Sequence, residues 1–368
     1  MQYRKLPHGA ENVSILGLGT SSIQQAEEKE IEEVLHLAVE EGINYFDMAS
    51  AEAKPFPIYG RVLSPCRKQV YYQIHFGADY TSGAYGWTTN LDAVKRSVAW
   101  QLSTLKTDYI DFGFIHCIDE QSDLEKAQRS GIIDYLLALK NQGIVHHIGL
   151  SSHTPQLVHK VLDMGILDML MFSINPGYDY QHGAYAIGQA AERMALYRRC
   201  EKEGVGISVM KAFSGGQLLR AETSPFHQAL TEAQCIQYAL DKPGVLTVLP
   251  GIRGLADLKR ILAFCEATEE ERDYSVIGSF VPQDMAGKCV YCNHCQPCPA
   301  GLNVGLINKY YDLSLAGDSL ASSHYSKLEV KADQCIACGH CNRRCPFEVD
   351  QVSRMKEIAH HFSSACSQ

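Results

Sequence analysis

The chain has 368 residues, a formal charge of −9, 46% hydrophobic and 20% charged residues, and no low-complexity tract. That length exceeds one ordinary domain, and that composition excludes disorder, because enough apolar surface is present to offset the entropy lost on folding. The acidic balance excludes nucleic acid as a main partner, and no apolar run of roughly 18 residues is present to span a membrane. The opening "MQYRKLPHGAENVSILGLGT" lacks the apolar core of a signal peptide, so a cytoplasmic protein facing small molecules is expected.

From Val13 to about Ala267, short β-branched runs alternate with longer stretches of helical period. The strand candidates are "VSILGLG", "NYFD", "VYYQIH", "YIDFGFIH", "HHIGLSS", "MLMFSIN", "VGISVMK" and "VLTVLPG". Between them lie amphipathic segments such as "EEKEIEEVLHLAVEEG" and "NLDAVKRSVAWQLSTL", several ended by a glycine in the helix-stop position. Eight such strands with intervening helices predict an α/β fold, a (β/α)8 TIM barrel. The dinucleotide-binding alternative fits less well, because "GLGTSS" after the first strand lacks the third glycine of GxGxxG. After "ATEEERDYSVIGSF" the chain becomes rich in cysteine and poor in strand-like runs, so the barrel is assigned to 1–283 and a second domain to 284–368. The helical spacing of "NVGLINKYYDLSLAGDSLASSHYSKL" predicts that this second domain is mostly helical.

Eight of the 14 cysteines fall in two runs, "KCVYCNHCQPCP" and "CIACGHCNRRCP". In a C-x2-C-x2-C run three thiolates converge on one centre, while a following Cys-Pro turns the chain toward a second. On that rule Cys289, Cys292, Cys295 and Cys345 hold one [4Fe–4S] cluster, and Cys335, Cys338, Cys341 and Cys298 the other. Only Gln296 and Pro297 separate Cys295 from Cys298, one residue short of the usual spacing. A structural zinc site would use paired C-x2-C units rather than triplets followed by Cys-Pro, so the domain is read as ferredoxin-like. Clusters move single electrons, which implies an external partner such as a ferredoxin or a flavoprotein. The remaining cysteines, Cys117 among them, are read as small core residues.

The barrel portion, from "YRKLPHGAENVSILGLGT" through "VLPGIRG", resembles the aldo-keto reductase family, and with its tail the branch that carries a carboxyl-terminal 4Fe–4S ferredoxin-type domain. The resemblance implies a catalytic group of an Asp after the second strand, a Tyr shortly beyond, a Lys ending the third strand and a His ending the fourth. Asp47, Tyr59 and His116 match three of these, with "AEAKPFP" accommodated before Tyr59 as a looped insertion. His75 stands where the family carries lysine. A tyrosine with an ordinary pKa near 10 donates a proton at neutral pH only with positive charge beside it, and histidine is shorter and only partly charged there. Asp47, His75 and His116 are also a conceivable metal set.

For the NADP(H) or NAD(H) that the family binds, the resemblance points to Ser151, to Ser152 in place of an asparagine, and to Lys211, Arg253 and Arg260. Met171 stands where a glutamine is common, and Ile174 where a tyrosine often stacks on the nicotinamide ring. His153, Tyr178 and Tyr180 are expected near the substrate pocket. The implied activity is oxidoreduction of a carbonyl, an alcohol or a related small molecule, with electrons relayed through two [4Fe–4S] clusters and Tyr59 as proton donor. Two alternatives stay open: a nicotinamide-independent reductive elimination fed by ferredoxin, and a non-catalytic electron-transfer subunit.

Overall fold

A computed structural model describes the chain except for residues 181–185, 281–286, 290, 292–293, 316–320, 346 and 366–368. It divides into two compact units, Met1–Arg272 and Asp273–Gln368, so the division falls earlier in the chain than residue 283.

In the first unit eight parallel strands pair in sequence order: β1 (Leu18–Gly19), β2 (Tyr45–Met48), β3 (Tyr71–Phe76), β4 (Ile110–Ile115), β5 (Val145–Ser151), β6 (Met169–Ser173), β7 (Gly206–Met210) and β8 (Val245–Val248). The sheet closes on itself. Leu16 forms a parallel bridge with Val248, the Gly17 N–H donates to the Val248 carbonyl at 2.9 Å, and the Val248 N–H donates to the Ile15 carbonyl at 2.9 Å. This is the (β/α)8 TIM barrel. Its strands are buried on both faces, which is why β2, β4 and β6 read as nearly unbroken apolar runs rather than alternating ones.

The longer helices of this unit are α1 (Glu28–Glu40), α2 (Pro55–Leu63), α3 (Leu91–Leu105), α4 (Gln121–Arg129), α5 (Ile132–Asn141), α6 (Pro155–Leu162), α7 (Ala190–Glu203), α8 (Glu232–Leu240) and α9 (Leu255–Leu262). Helix α1 buries Ile31, Val34, Leu35 and Ala38, the one-faced stripe that its sequence period requires. Helix α3 starts where the Asn90 Oδ1 accepts the Ala93 N–H at 2.9 Å, a cap for an otherwise unpaired donor. Helix α7 stops at Gly204, whose φ of 72° is a left-handed conformation that glycine adopts without strain.

Inside the barrel Tyr45, Phe112, Phe114, Met169 and Leu246 pack with Leu6 and Val13 from the opening hairpin, in which Tyr3–Lys5 pairs with Asn12–Ser14. Phe114 fills the interior because residue 149 is glycine: a Cβ there would lie 2.4 Å from its ring. With the hairpin closing one end, the strands' carboxyl ends are left to form the site.

The second unit is helical among its described residues, with α10 (Val304–Leu315), α11 (Ala321–Ser326), α12 (His340–Arg344) and α13 (Gln351–Ala365). Its core gathers Leu302, Ile307, Tyr325, Met355, Ile358 and Phe362 around Cys295 and Cys341. Among the described residues no helix is long and apolar enough to cross a membrane.

Candidate active site

A cavity of about 480 Å³ opens among the carboxyl ends of the barrel strands, with Asp47, His75 and His116 on one wall. The pleat explains their meeting. Residues two apart share a face, so Asp47 follows Tyr45 inward on β2 and His75 follows Gln73 inward on β3, and the register sets Asp47 opposite Gln73.

The Asp47 Oδ1 accepts from the Gln73 Nε2 at 2.8 Å and from the His75 Nε2 at 2.7 Å. A carboxylate only accepts, so the proton on this histidine sits on Nε2 and its Nδ1 is an acceptor. That acceptor lies 3.0 Å from the His116 Nδ1, which therefore donates. The His116 Nε2 is left to accept the Tyr85 hydroxyl at 2.9 Å. Four groups thus form one hydrogen-bonded series, from a carboxylate that is 4% exposed to a tyrosine that is 41% exposed. Gln73 is fixed in turn, its Oε1 accepting from the Tyr45 hydroxyl at 2.5 Å and from the Ser208 hydroxyl at 3.1 Å. Burial, and then the neighbouring His75, hold the His116 imidazole well below the usual histidine range, while burial pushes the Tyr85 phenol up to about 12.

Beyond His116 the wall continues with Cys117 and His153. Cys117 has a φ of 51°, and its thiol donates to the Asp119 Oδ2 at 3.5 Å. Burial and Asp119 push that thiol up to about 12. Burial works to raise the Asp119 carboxyl, yet His153 holds it at about 2, its backbone N–H donating to Oδ1 at 2.6 Å and its Nδ1 lying 2.9 Å from Oδ2. Asp119 thereby ties the loop after β4 to the loop after β5, and Cys117 is a cavity residue rather than core filling.

The segments after β7 and β8 line the cavity with Lys211, Arg253 and Arg260 together with the carboxylates Glu232 and Asp257. Asp257 orients both arginines, accepting from the Arg253 Nε at 2.9 Å and from Arg260 at 2.5 Å. Ser151 also lines the cavity and accepts the Cys117 N–H at 2.8 Å. Ser152 does not line it: the side chain is fully buried and donates to the Ile118 carbonyl at 2.6 Å.

A family profile described as "Aldo/keto reductase family" matches residues 15–233. The chain belongs to the aldo/keto reductase family. A second profile, "4Fe-4S dicluster domain", matches residues 285–349. The chain is 25% identical over 310 residues to the uncharacterized oxidoreductase YqkF of Bacillus subtilis, covering 77% of this chain and 98% of that one. The holo form of the aldo-keto reductase AKR11C1 from Bacillus halodurans shares its fold with a TM-score of 0.59 at 22% identity, covering 74% of this chain and 94% of that one. PA4992 of Pseudomonas aeruginosa, provisionally assigned to the same family, gives 0.57 at 25% identity, covering 71% and 94%. The protein is thus an oxidoreductase of aldo/keto reductase type with an added 4Fe–4S domain.

Seen as an aldo/keto reductase, the chain departs from the expected group at Tyr59. "AEAKPFP" does not form a loop throughout, because Pro55 already opens α2. Tyr59 lies on the buried face of that helix with Phe56 and Leu63; it is 0% exposed, its ring is edge-on to Phe46, and among the described residues its hydroxyl reaches only the Gly19 carbonyl, at 3.4 Å. Burial and then Asp47 push its phenol far above the ordinary range. The structure therefore brings Asp47, His75 and His116 together and leaves Tyr59 in the core. Met171 and His153 line the cavity, whereas Ile174, Tyr178 and Tyr180 are buried away from its wall. Gln73 and Tyr85 were not singled out in the sequence; the even spacing of Gln73 and His75 was a usable signal for the first.

In the second unit a small cavity is lined by Cys298, Cys335, Cys338 and Cys341, and by Cys295 as well. Cys289 and Cys295 are buried, and Cys345 is close enough to act on both: burial and nearby thiols push Cys289 up to about 11 and Cys295 up to about 12. Cys292 and Pro346 lie outside the described residues. A convergent, largely sulfur donor set in an apolar core suits iron–sulfur ligation.

Proposed function

We propose that this aldo/keto reductase interconverts a carbonyl and an alcohol on a small organic molecule, using NADP(H) or NAD(H) and two [4Fe–4S] clusters that exchange electrons with a ferredoxin or flavoprotein. The observation that carries this reading is the series Asp47–His75–His116, hydrogen-bonded along one wall of a cavity at the strand ends. Histidine in the lysine position still presents a protonatable group held by a carboxylate. Asp47 accepts from the His75 Nε2, His75 in turn faces His116 through Nδ1, and His116 would present its other ring nitrogen toward a reacting oxygen.

The dinucleotide would lie along the segments after β7 and β8, where Arg253 and Arg260 suit a 2′-phosphate, Lys211 supplies charge near the strand ends, and Ser151 is placed to contact a carboxamide. When bound, it supplies or accepts a hydride. One cluster would take Cys289, Cys292, Cys295 and Cys345, and the other Cys298, Cys335, Cys338 and Cys341. Two electrons drawn one at a time from a reduced ferredoxin or flavoprotein through the clusters, with one proton, would re-form the hydride on the oxidised dinucleotide.

Anaerobic purification with iron and sulfide analysis, followed by NADPH titration and turnover with aldehydes, tests the reading. The expected results are iron and sulfide for two clusters, saturable NADPH binding, and aldehyde-dependent NADPH oxidation. Full clusters without NADPH binding would instead favour the ferredoxin-fed, nicotinamide-independent enzyme.

A further inference from the structure

We propose that Tyr85, on the loop after β3, is the proton donor of this active site, doing from a different loop what the family's tyrosine does from the segment after β2. The proposal rests on the carbonyl-reductase reading above and deepens it.

Three observations carry it. The series that starts at Asp47 ends at the Tyr85 hydroxyl, 2.9 Å from the His116 Nε2, so this phenol is the outward terminus of the buried charge relay. The loop is also docked where the missing tyrosine would emerge. The Tyr85 N–H donates to the Ala51 carbonyl at 2.9 Å, the Ala53 N–H donates to the Gly83 carbonyl at 2.9 Å, and Glu52 bridges Ala84. A short hairpin, Ala78–Asp79 with Gly86–Trp87, holds the loop in that place. Finally, Tyr85 does not itself line the cavity but is 41% exposed and bonded to His116, which does, whereas Tyr59 is 0% exposed inside α2.

The proton accounting closes. With the histidine pair carrying one extra proton, the His116 Nε2–H donates to the Tyr85 oxygen and frees the phenol proton to point at the substrate. As the carbonyl carbon accepts a hydride from a reduced nicotinamide dinucleotide, the π pair moves to oxygen and that oxygen takes the Tyr85 proton. The His116 proton then replaces it on the phenol, so the histidine pair ends neutral and no phenolate persists. Asp47 on β2, His75 on β3, Cys117 and Asp119 after β4, His153 after β5, Lys211 after β7 and Tyr80, whose ring lies 6.1 Å from that of Tyr85, are titratable groups around this relay. Because His116 is held well below the usual histidine range, reduction is expected to accelerate as pH falls below that range.

The test uses the full chain with its clusters, NADPH, and a panel of carbonyls led by 4-nitrobenzaldehyde, an aromatic probe chosen because Tyr85 and Trp87 are both exposed at this loop. Tyr85→Phe is expected to lower kcat about 100-fold or more, the scale of a lost general acid, with NADPH affinity unchanged. It should also remove the solvent isotope effect and the acid-favoured limb of the pH profile. Ultraviolet difference titration should lose one high-pH tyrosinate transition. Tyr59→Phe is expected to turn over. Loss of turnover in Tyr59→Phe but not in Tyr85→Phe, or a Tyr85→Phe enzyme within threefold of the parent with its pH profile intact, overturns the proposal. NADPH oxidation with none of the carbonyls removes the carbonyl-reductase reading itself, and this inference with it.

Discussion

Replacing Asp47 by asparagine separates the charge of the buried carboxylate from its hydrogen bonds. Asp47 accepts two of them, from Gln73 at 2.8 Å and from His75 at 2.7 Å, and both Asp47 and His75 are nearly inaccessible, at 4% and 1% exposed. The amide oxygen of asparagine still accepts both, so the wall keeps its geometry and the stability change is expected to be about 1–2 kcal/mol, the difference between charged and neutral acceptors. The electrostatic loss is larger. Charge centres about 4 Å apart attract by about 4 kcal/mol at an effective dielectric of about 20. At about 1.4 kcal/mol per decade, and with the amide dipole restoring part of that attraction, Asp47→Asn should lower kcat for carbonyl reduction roughly 100- to 1,000-fold. NADPH oxidation with 4-nitrobenzaldehyde reads the rate, urea titration the stability, and NADPH titration the binding. An enzyme within threefold of the parent at unchanged stability would show that no positive charge is needed on the histidine pair.

Cys298→Ser should remove the cluster of Cys335, Cys338 and Cys341, and Cys345→Ser the cluster of Cys289 and Cys295, each taking iron from about eight to about four per chain; loss of the sequence-adjacent cluster instead would reverse the ligand exchange. Arg260, held by Asp257 and Glu232, should give a variant Arg260→Ala with weaker NADPH but unchanged NADH binding, measured by fluorescence titration. At the far end of the barrel His147 links Glu11 at 3.0 Å and Asp168 at 3.7 Å. Burial opposes these charges, but His147, Lys140 and the Ile148 N–H hold the Asp168 carboxyl at about 2 against an ordinary 3.8, so its stabilisation is present above pH 3.8 and lost as pH falls toward 2. His147 is raised from 6.5 despite its burial, so its share is present below pH 6.5 and lost on passing above its folded value; His147→Leu should flatten that upper limb of a thermal-stability profile. Gly149→Ala should cost about 1–3 kcal/mol by overpacking, because its Cβ would meet the Phe114 ring at 2.4 Å, and Phe114→Leu should recover part of the loss in urea titration.

The barrel was legible because burial on both faces writes each strand as an apolar run, and because helices of period 3.6 separate eight of them. Asp47, His75 and His116 were legible for a related reason: they occupy the carboxyl ends of consecutive strands, so their place in the chain fixes their place in space. Tyr59 failed where that rule stops. It lies several residues beyond β2, and whether such a residue faces a cavity depends on whether the segment is loop or helix; Pro55 at the first turn and the buried stripe Phe56–Tyr59–Leu63 decide for helix. Tyr85 was invisible for the converse reason. Its neighbours Ser82, Gly83 and Ala84 carry no periodic signal, and its position comes from main-chain pairing with residues 51–53, a contact that no local pattern encodes. A strand end therefore fixes a side chain's place within one residue, whereas a loop residue takes its place from whichever loop is hydrogen-bonded beside it. Lysine in the third-strand position would place a permanent charge beside Asp47; histidine instead leaves an aromatic nitrogen facing His116 and so extends the series toward a tyrosine on the neighbouring loop. On this argument the exchange at position 75 and the absence of a reachable tyrosine after β2 are one change and not two, and returning lysine at position 75 should disconnect Tyr85 from Asp47 rather than restore an ordinary enzyme.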